Sequence, residues 1–567
     1  MRSFLLRYIP KNQTTLAVIL SIFIGILLNL DVYQGRFDTQ ISHGTGVSYF
    51  TLAGEAIVNV AFSFFFFRVL SLGGAIFFKI CASIVVIASV CASYYITFFD
   101  VVIGYGILIS VLTTDIDLSK EVVGNSFIYW VIGLSAIPLL LIWCSPNNNT
   151  LLSQLKNNRK ACLKSILLLA VIAVSVYSYL KLMDQQQKKH EAQMNVDLSS
   201  YSGSLSYAYL PTNWIIPLVQ YAITQYDDKF NENEIFDPSQ KFTYTPDADN
   251  NDAYVVFIIG ETARWDHMGL LGYSRQTNPL LSKEKNLVAF KGRSCDTATK
   301  LSLRCMFVRE GGVEDNPQRT MKENNIFSVM KKLGFSSELF AMQGEVWFYN
   351  KLDVDNYLIR EMITAKHSTY GKPIDDTLLI DEVHSSIENK PQGKHLIILH
   401  TKGSHYLYSK RYPKEFKQYQ PECLNVDDNC SKQQLINAYD NSILYTDYFI
   451  DGVIDQLRDK KAIVFYTSDH GESINEGHGL HGTPREIAPE EQFRVPFVVW
   501  MSDSYLASPN NQQRFEQLKK YSQQGRPFYH HQIYDSILGC LGYTSADGGM
   551  NNCNNLCGLS SDTRTDK

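Results

Sequence analysis

Ala253-Tyr-Val-Val-Phe-Ile-Ile-Gly260, followed at once by Glu261-Thr262, is an unbroken apolar run that ends on a glycine and a carboxylate. A strand with one wet face alternates polar and apolar residues. A run without alternation predicts a strand covered on both faces, as in a parallel sheet. Comparable runs recur at residues 395–399 (HLIIL) and 462–466 (AIVFY), with a weaker one at 495–500. Helix-like segments at 325–333, 377–387 and 432–457 separate them. The alternation predicts an α/β/α sandwich on a largely parallel sheet.

Such sheets bind ligands beyond the carboxyl ends of their strands. The first strand runs out into Glu261-Thr262, and the second into His400-Thr-Lys-Gly-Ser-His405. The third ends in Ser468-Asp469-His470-Gly471-Glu472, and a loop then brings His478 and His481. One histidine after a strand means little. Glu261, His400, His405, Asp469, His470, His478 and His481 at one edge have the composition of a metal site.

A second stretch supplies a nucleophile. In Cys295-Asp-Thr-Ala-Thr299-Lys-Leu-Ser-Leu-Arg-Cys305 two cysteines bracket a hydroxyl-bearing turn, and a helix-compatible run follows. A disulfide between them would hold Thr299 just before a helix N-terminus, where free N–H groups receive phosphate. Thr299 is therefore the candidate nucleophile of a phosphoryl transfer; a disulfide-pinned surface turn is the plain alternative.

At 567 residues the chain is too long for one core, and a net charge of −5 argues against a nucleic-acid partner. The first third is strongly apolar. Spans are expected at 14–33, 50–72, 80–99, 122–144 and 164–182, the first as a retained anchor. Arg2, Arg7 and Lys11, then Arg68 and Lys79, then Lys156, Arg159, Lys160 and Lys164 all fall on one side, which reads as cytoplasmic. Five crossings then leave the C-terminal part outside. Cysteine usage points the same way, since Cys295/Cys305, Cys423/Cys430 and Cys553/Cys557 are close pairs with no CxxC doublet, and Cys540 is left over. The expected division is a membrane domain (1–184), a linker with interfacial helices (185–252) that Pro211 and Pro217 break into short pieces, and a catalytic domain (253–567).

Five stretches resemble a known family: GETARWDHMGLLGY at 260–273, CDTATKLSLRCMF at 295–307, LHTKGSH at 399–405, INAYDNS at 436–442 and SDHGESINEGHGLHGTP at 468–484. The soluble half resembles the alkaline phosphatase/sulfatase superfamily. Nearly the whole chain is similar to the lipopolysaccharide phosphoethanolamine transferases, and most of all to the branch that modifies the outer Kdo sugar of Kdo2-lipid A. The resemblance implies one or two zinc ions, the first held by Glu261, Thr299, Asp469 and His470. It implies that His405 and His481 line the site and hold a second metal or the phosphate, with His400 a further substrate-binding neighbour, and it implies disulfides Cys295–Cys305 and Cys423–Cys430. In the chemistry read from it His405 and His481 are cations that offset phosphate charge, and one of them is the acid/base group. Two places depart from the family pattern. An Asn/Ser/Lys phosphate-contacting group after a strand near residue 340 is replaced by Phe340-Ala-Met-Gln343-Gly-Glu345, so no lysine is assigned there. In the outer loop two headgroup positions read Ser110 and Leu118, while Thr114 is retained as a substrate-binding candidate.

The implied reaction takes phosphoethanolamine from phosphatidylethanolamine through a phosphoethanolamine-threonine intermediate and releases diacylglycerol. Kdo2-lipid A in lipopolysaccharide is the implied acceptor, and calcium would enter through that anionic glycolipid alone. The implied setting is a monomer among inner-membrane lipids of a Gram-negative bacterium, its catalytic domain in the periplasm. Two other readings share these residues: transfer to lipid A phosphate groups, and a membrane-bound phosphodiesterase or sulfatase-like hydrolase. The Thr299 surroundings lack the C/S-x-P-x-R setting of sulfatases.

Overall fold

The computed structural model describes residues 10–558 apart from 43–48, 114–119, 148–149, 158, 195–207, 231–234, 248–251, 317, 345–352, 370–371, 374, 475 and 477–478. Thr114 and His478 lie outside the described residues. The chain divides into two compact units. One comprises Met1–Leu108, Val123–Gln220 and Glu486–Ala488, and the other Ile109–Val122, Tyr221–Arg485 and Pro489–Lys567.

The first unit is helical. Gln13–Phe37, Leu52–Gly73, Ala75–Phe99, Asn125–Cys144 and Cys162–Tyr179 are long and apolar enough to cross a membrane. Ile57, Ile76, Ile137 and Val174 point outward from them, as lipid-facing residues do. Glu55, a charge in an apolar span, is matched by Arg36 in a two-bonded ion pair of 2.7 and 2.9 Å. The aromatic segment after the fifth span packs onto this bundle: Asn29 and Asn59 both donate to the Leu210 carbonyl, and the Trp214 indole donates to Ser89. Pro217 does not divide it. Thr212–Phe230 is one helix with Pro217 inside, near its start, where the ring removes a single backbone bond and the remaining turns continue.

The second unit is built on β2 (Ala253–Gly260), β3 (Leu287–Arg293), β4 (Ser336–Ala341), β5 (Asn356–Ile359), β6 (Lys394–His400), β7 (Ala462–Ser468), β8 (Arg494–Met501) and β9 (Phe528–Tyr529). A two-stranded clasp, β1 (Thr245–Pro246) with β10 (Tyr543–Thr544), joins its two ends. The order across the sheet is β5-β4-β6-β2-β7-β8-β3-β9. Pairing is parallel except at β8, which runs antiparallel to β7 and β3. Val255, Phe257 and Ile259 of β2 pack into one core with α1 (Thr299–Met306) and α2 (Ile326–Lys332). Val256 and Ile258, pointing the other way, are equally buried. Burial on both faces is why this strand shows no alternation. Two further helices, α3 (Leu378–Asn389) and α4 (Lys432–Asp455), match the helical segments expected from sequence. β2 lies between β6 and β7, so the carboxyl ends of these three strands are neighbours.

Three disulfides are formed: Cys295–Cys305, Cys423–Cys430 and Cys540–Cys557. The third joins the left-over Cys540 to Cys557 rather than pairing the neighbours Cys553 and Cys557. Cys540 and Cys557 are both core residues, whereas a turn in which Cys553 N–H donates to Asn551 leaves Cys553 exposed.

Candidate metal and transfer site

Each strand end contributes one part. β2 delivers Glu261, β6 delivers His400 and the loop to His405, and β7 delivers Asp469 and His470. Gly403 lets the β6 loop close over Glu261. Its φ is +49°, and an added Cβ would stand 2.8 Å from the Glu261 carbonyl oxygen. Thr262 also has a positive φ, 56°. Tyr439 of α4 pins that turn, donating to the Thr262 carbonyl at 2.6 Å and accepting from Arg264 N–H at 2.9 Å.

Thr299 is the first residue of α1, with the Cys295–Cys305 bridge around it. Buried Asp296 braces the turn by accepting from Thr297 N–H and from the Arg319 guanidinium. Thr297 then ties it to the β7 loop, donating to the Thr483 carbonyl and accepting from Gly482 N–H. The Thr299 hydroxyl lies 3.3 Å from Glu261 Oε2 and 3.3 Å from His470 Nε2. His470 Nε2 is in turn 3.5 Å from Glu261 Oε1 and 3.4 Å from Asp469 Oδ2.

These spacings test the metal. Four ligands at zinc bond lengths define a tetrahedron with edges of roughly 3.4 Å. Glu261 Oε1 and Asp469 Oδ2 are buried with no hydrogen-bond partner, an unfavourable arrangement unless a cation receives them. His470 donates from Nδ1 to the Gly471 carbonyl, which turns the Nε2 lone pair toward the same point. Two carboxylates, an imidazole and an alcohol fit a divalent ion.

Electrostatics agree. Burial and the neighbouring Asp469 push the Glu261 carboxyl well above the usual carboxylate range. At Asp469 burial acts in the same direction, but His470, His400 and two backbone N–H groups outweigh it and hold that carboxyl low. Burial pushes His400 and His470 down to about 4, so both are neutral at pH 7, the form that ligates.

Thr299, His405 and His481 are half-buried, while Glu261, Asp469 and His470 are fully enclosed. His481 donates from Nδ1 to buried Glu472 at 3.0 Å, and its ring is 4.6 Å from that of His470 and 5.4 Å from that of His405. His405 is not the cation expected from sequence. Burial, then Lys402, His481 and Arg411, push it well below its ordinary value. His400, expected as a substrate-binding neighbour, is buried and lies close enough to Glu261 and Asp469 for the three to hold a cation. A second candidate set, Glu261 with His470 and His481, shares the first carboxylate.

A family model described as Sulfatase covers residues 253–543, and one described as Phosphoethanolamine transferase EptA/EptB covers 58–226. A Kdo(2)-lipid A phosphoethanolamine 7''-transferase of Escherichia coli (strain K12) is 54% identical over 97% of this chain and 98% of its own. The protein of that name from Salmonella typhimurium is 52% identical over the same shares. The chain belongs to the phosphoethanolamine transferase family. Its fold agrees, since the integral membrane lipooligosaccharide phosphoethanolamine transferase A of Neisseria meningitidis superposes with a TM-score of 0.81 at 25% identity, covering 96% of this chain and 99% of that one.

Several residues around this candidate site carry no signal in the sequence alone. Gln343 Nε2 donates to Glu261 Oε2 at 3.0 Å, and Lys402 donates to Gln343 Oε1 at 3.1 Å. Asp376 accepts from the N–H groups of Lys402 and Gly403 and so holds the β6 loop. Glu472, two residues after His470, was the legible one. A carboxylate placed to orient a histidine is a recurring device.

Proposed function

We propose that this transferase moves phosphoethanolamine from phosphatidylethanolamine to the outer Kdo sugar of Kdo2-lipid A, using Thr299 as nucleophile, with its catalytic unit on the periplasmic side of the inner membrane. The observation that supports the nucleophile is the Thr299 hydroxyl, 3.3 Å from both Glu261 Oε2 and His470 Nε2, with His470 Nε2 in turn 3.5 Å from Glu261 Oε1 and 3.4 Å from Asp469 Oδ2. The acceptor is supported by the names and the 54% and 52% identities of the two relatives. Glu261, Asp469, His470 and Thr299 would hold one zinc ion, which when bound lowers the pKa of an alcohol and offsets phosphate charge.

The chain's own groups do the rest. Thr299 Oγ forms a bond to phosphorus, the glycerol–oxygen bond to phosphorus breaks, and diacylglycerol leaves with a proton. An acceptor hydroxyl then bonds to the same phosphorus, gives up its proton, and Thr299 recovers its hydroxyl. N–H groups at the start of α1 face the equatorial oxygens, and one of the two histidines at the mouth, His405 or His481, gives the leaving glyceride its proton and later takes one from the acceptor. Donor and acceptor are lipids with negligible free concentration in water, so anchoring the site to the bilayer raises their effective concentration. Calcium, on this reading, bridges acceptor carboxylates and phosphates to the protein.

Intact-protein mass spectrometry after incubation with phosphatidylethanolamine tests the reading. A phosphoethanolamine increment that maps to Thr299 and disappears in Thr299→Ala is expected, with lipid modification reduced at least about 10³-fold. An adduct on another side chain, or turnover that survives chelation, would overturn it. Phosphoethanolamine that remains on lipid A stripped of its sugars would assign the acceptor to lipid A phosphates.

A further inference from the structure

Lys402 is an ammonium inside the protein. Its residue is 2% exposed, and burying an ammonium costs several kcal/mol unless its surroundings use the charge. The sheet explains its position. β4 and β6 are parallel with Ala341 opposite His400, so two residues beyond the paired strands Gln343 and Lys402 come level. Their side chains meet at 3.1 Å, Nζ on Oε1. That contact fixes which end of the Gln343 amide faces the lysine. The NH2 group then faces Glu261 Oε2 at 3.0 Å and the Thr401 carbonyl at 3.1 Å. Glu261 Oε2 is also the oxygen 3.3 Å from the Thr299 hydroxyl. A continuous chain, Lys402–Gln343–Glu261–Thr299, therefore leads from a buried charge to the nucleophile.

We propose that Lys402 is a positioning residue for the metal carboxylate: through the Gln343 amide it holds Glu261 with Oε2 toward Thr299 and Oε1 toward the ion. The inference rests on the reading of Glu261 as a metal ligand. A cation two bonds back polarises the amide and strengthens its hydrogen bond to a carboxylate. Oε1, which has no hydrogen-bond partner, is then left facing the ligand set. Partners of this kind behind metal ligands contribute about 10–100-fold to metal affinity. A bystander cation would act in the opposite sense, because removing a positive charge near the site would by itself tighten binding of a divalent cation.

The sign decides. Full-length protein in detergent is stripped of metal, and zinc affinity is read by competition with a chromophoric chelator, alongside a thermal unfolding midpoint. Wild type is expected to bind zinc and Glu261→Gln to lose it; failure of either overturns the metal reading itself. Given both, Lys402→Met is expected to weaken zinc by at least about tenfold without lowering the midpoint, and Lys402→Arg to recover most of the affinity. Gln343→Leu should weaken zinc similarly, and the double variant should be no worse than Gln343→Leu alone, since both cut one chain. Gln343→Leu also serves if Lys402→Met does not fold. Unchanged or tighter zinc in Lys402→Met, or losses at 402 and 343 that simply add, would overturn the proposal.

Discussion

Glu261 and Asp469 are both buried carboxylates one strand apart, yet they differ as acids. Before metal binds, Glu261 keeps a proton above the usual carboxylate range, and Asp469 does not. A divalent ion must displace that proton. Zinc affinity is therefore expected to fall as pH falls, and each ion bound to release protons, which calorimetry in two buffers of different ionisation enthalpy would count. Affinity flat from about pH 8 to about pH 5.5 would contradict this. At this scale the sequence was informative where chemistry is concentrated at strand ends. Glu261, Asp469 and His470 could be named as candidates because acids and histidines have few other reasons to gather there. Thr299, two residues from Thr297, was set apart by the cysteines that bracket its turn, and the ligand set itself came with the resemblance. Gln343 could not, because an amide is chemically neutral and acquires meaning only from the lysine and the carboxylate that the sheet brings to its two ends. Lys402, in plain view between two histidines, reads as a surface lysine until burial is known.

The turn that carries Thr299 is held by the Cys295–Cys305 bridge and by Asp296 with Arg319, so it does not depend on the sheet alone. Closing a loop of ten-residue separation is worth about 3 kcal/mol in the unfolded chain. Cys295→Ala/Cys305→Ala is expected to lower the thermal midpoint and to depress transfer further than that loss of folded protein explains; equal losses would make the bridge a general staple. On the other side of the site, Gly403→Ala is expected to cost at least about 2 kcal/mol and to weaken zinc, because the new Cβ meets Glu261 backbone atoms at 2.8 and 2.9 Å. Melting curves and the chelator competition read both effects. Among the elements, β2, β6 and β7 were legible because burial on both faces leaves no alternation, and β8 was fainter. β3 was not legible in the sequence pattern, and β4 entered only through the resemblance, which implies a strand near residue 340, since both mix buried with partly exposed positions. The helix Thr212–Phe230 is hard to read for a different reason: proline usually marks a stop, and here it sits where it removes only one bond.

At the scale of the molecule, the membrane helices and the catalytic unit are expected to carry separable tasks. The catalytic unit expressed alone, from about residue 235 onward, is expected to fold, to bind zinc and to form the Thr299 adduct from a short-chain soluble phosphatidylethanolamine. Transfer between two bilayer lipids is expected to fall by at least about 10²-fold, as a vesicle assay would show, because tethering is lost. Topology was legible because apolar length and Lys/Arg placement are properties of the chain itself. The Cys540–Cys557 bridge was not, since which two of three thiols meet depends on the fold of the last turns. The β1–β10 clasp has a consequence of its own. A unit whose beginning and end lie side by side is a closed circuit, so a short peptide could weld the two ends while a cut is made in some distant surface loop. Such a rewired version is expected to mature with the same bridges and the same metal, and a fluorescent label placed beside Thr544 would report from the place where Thr245 enters the clasp.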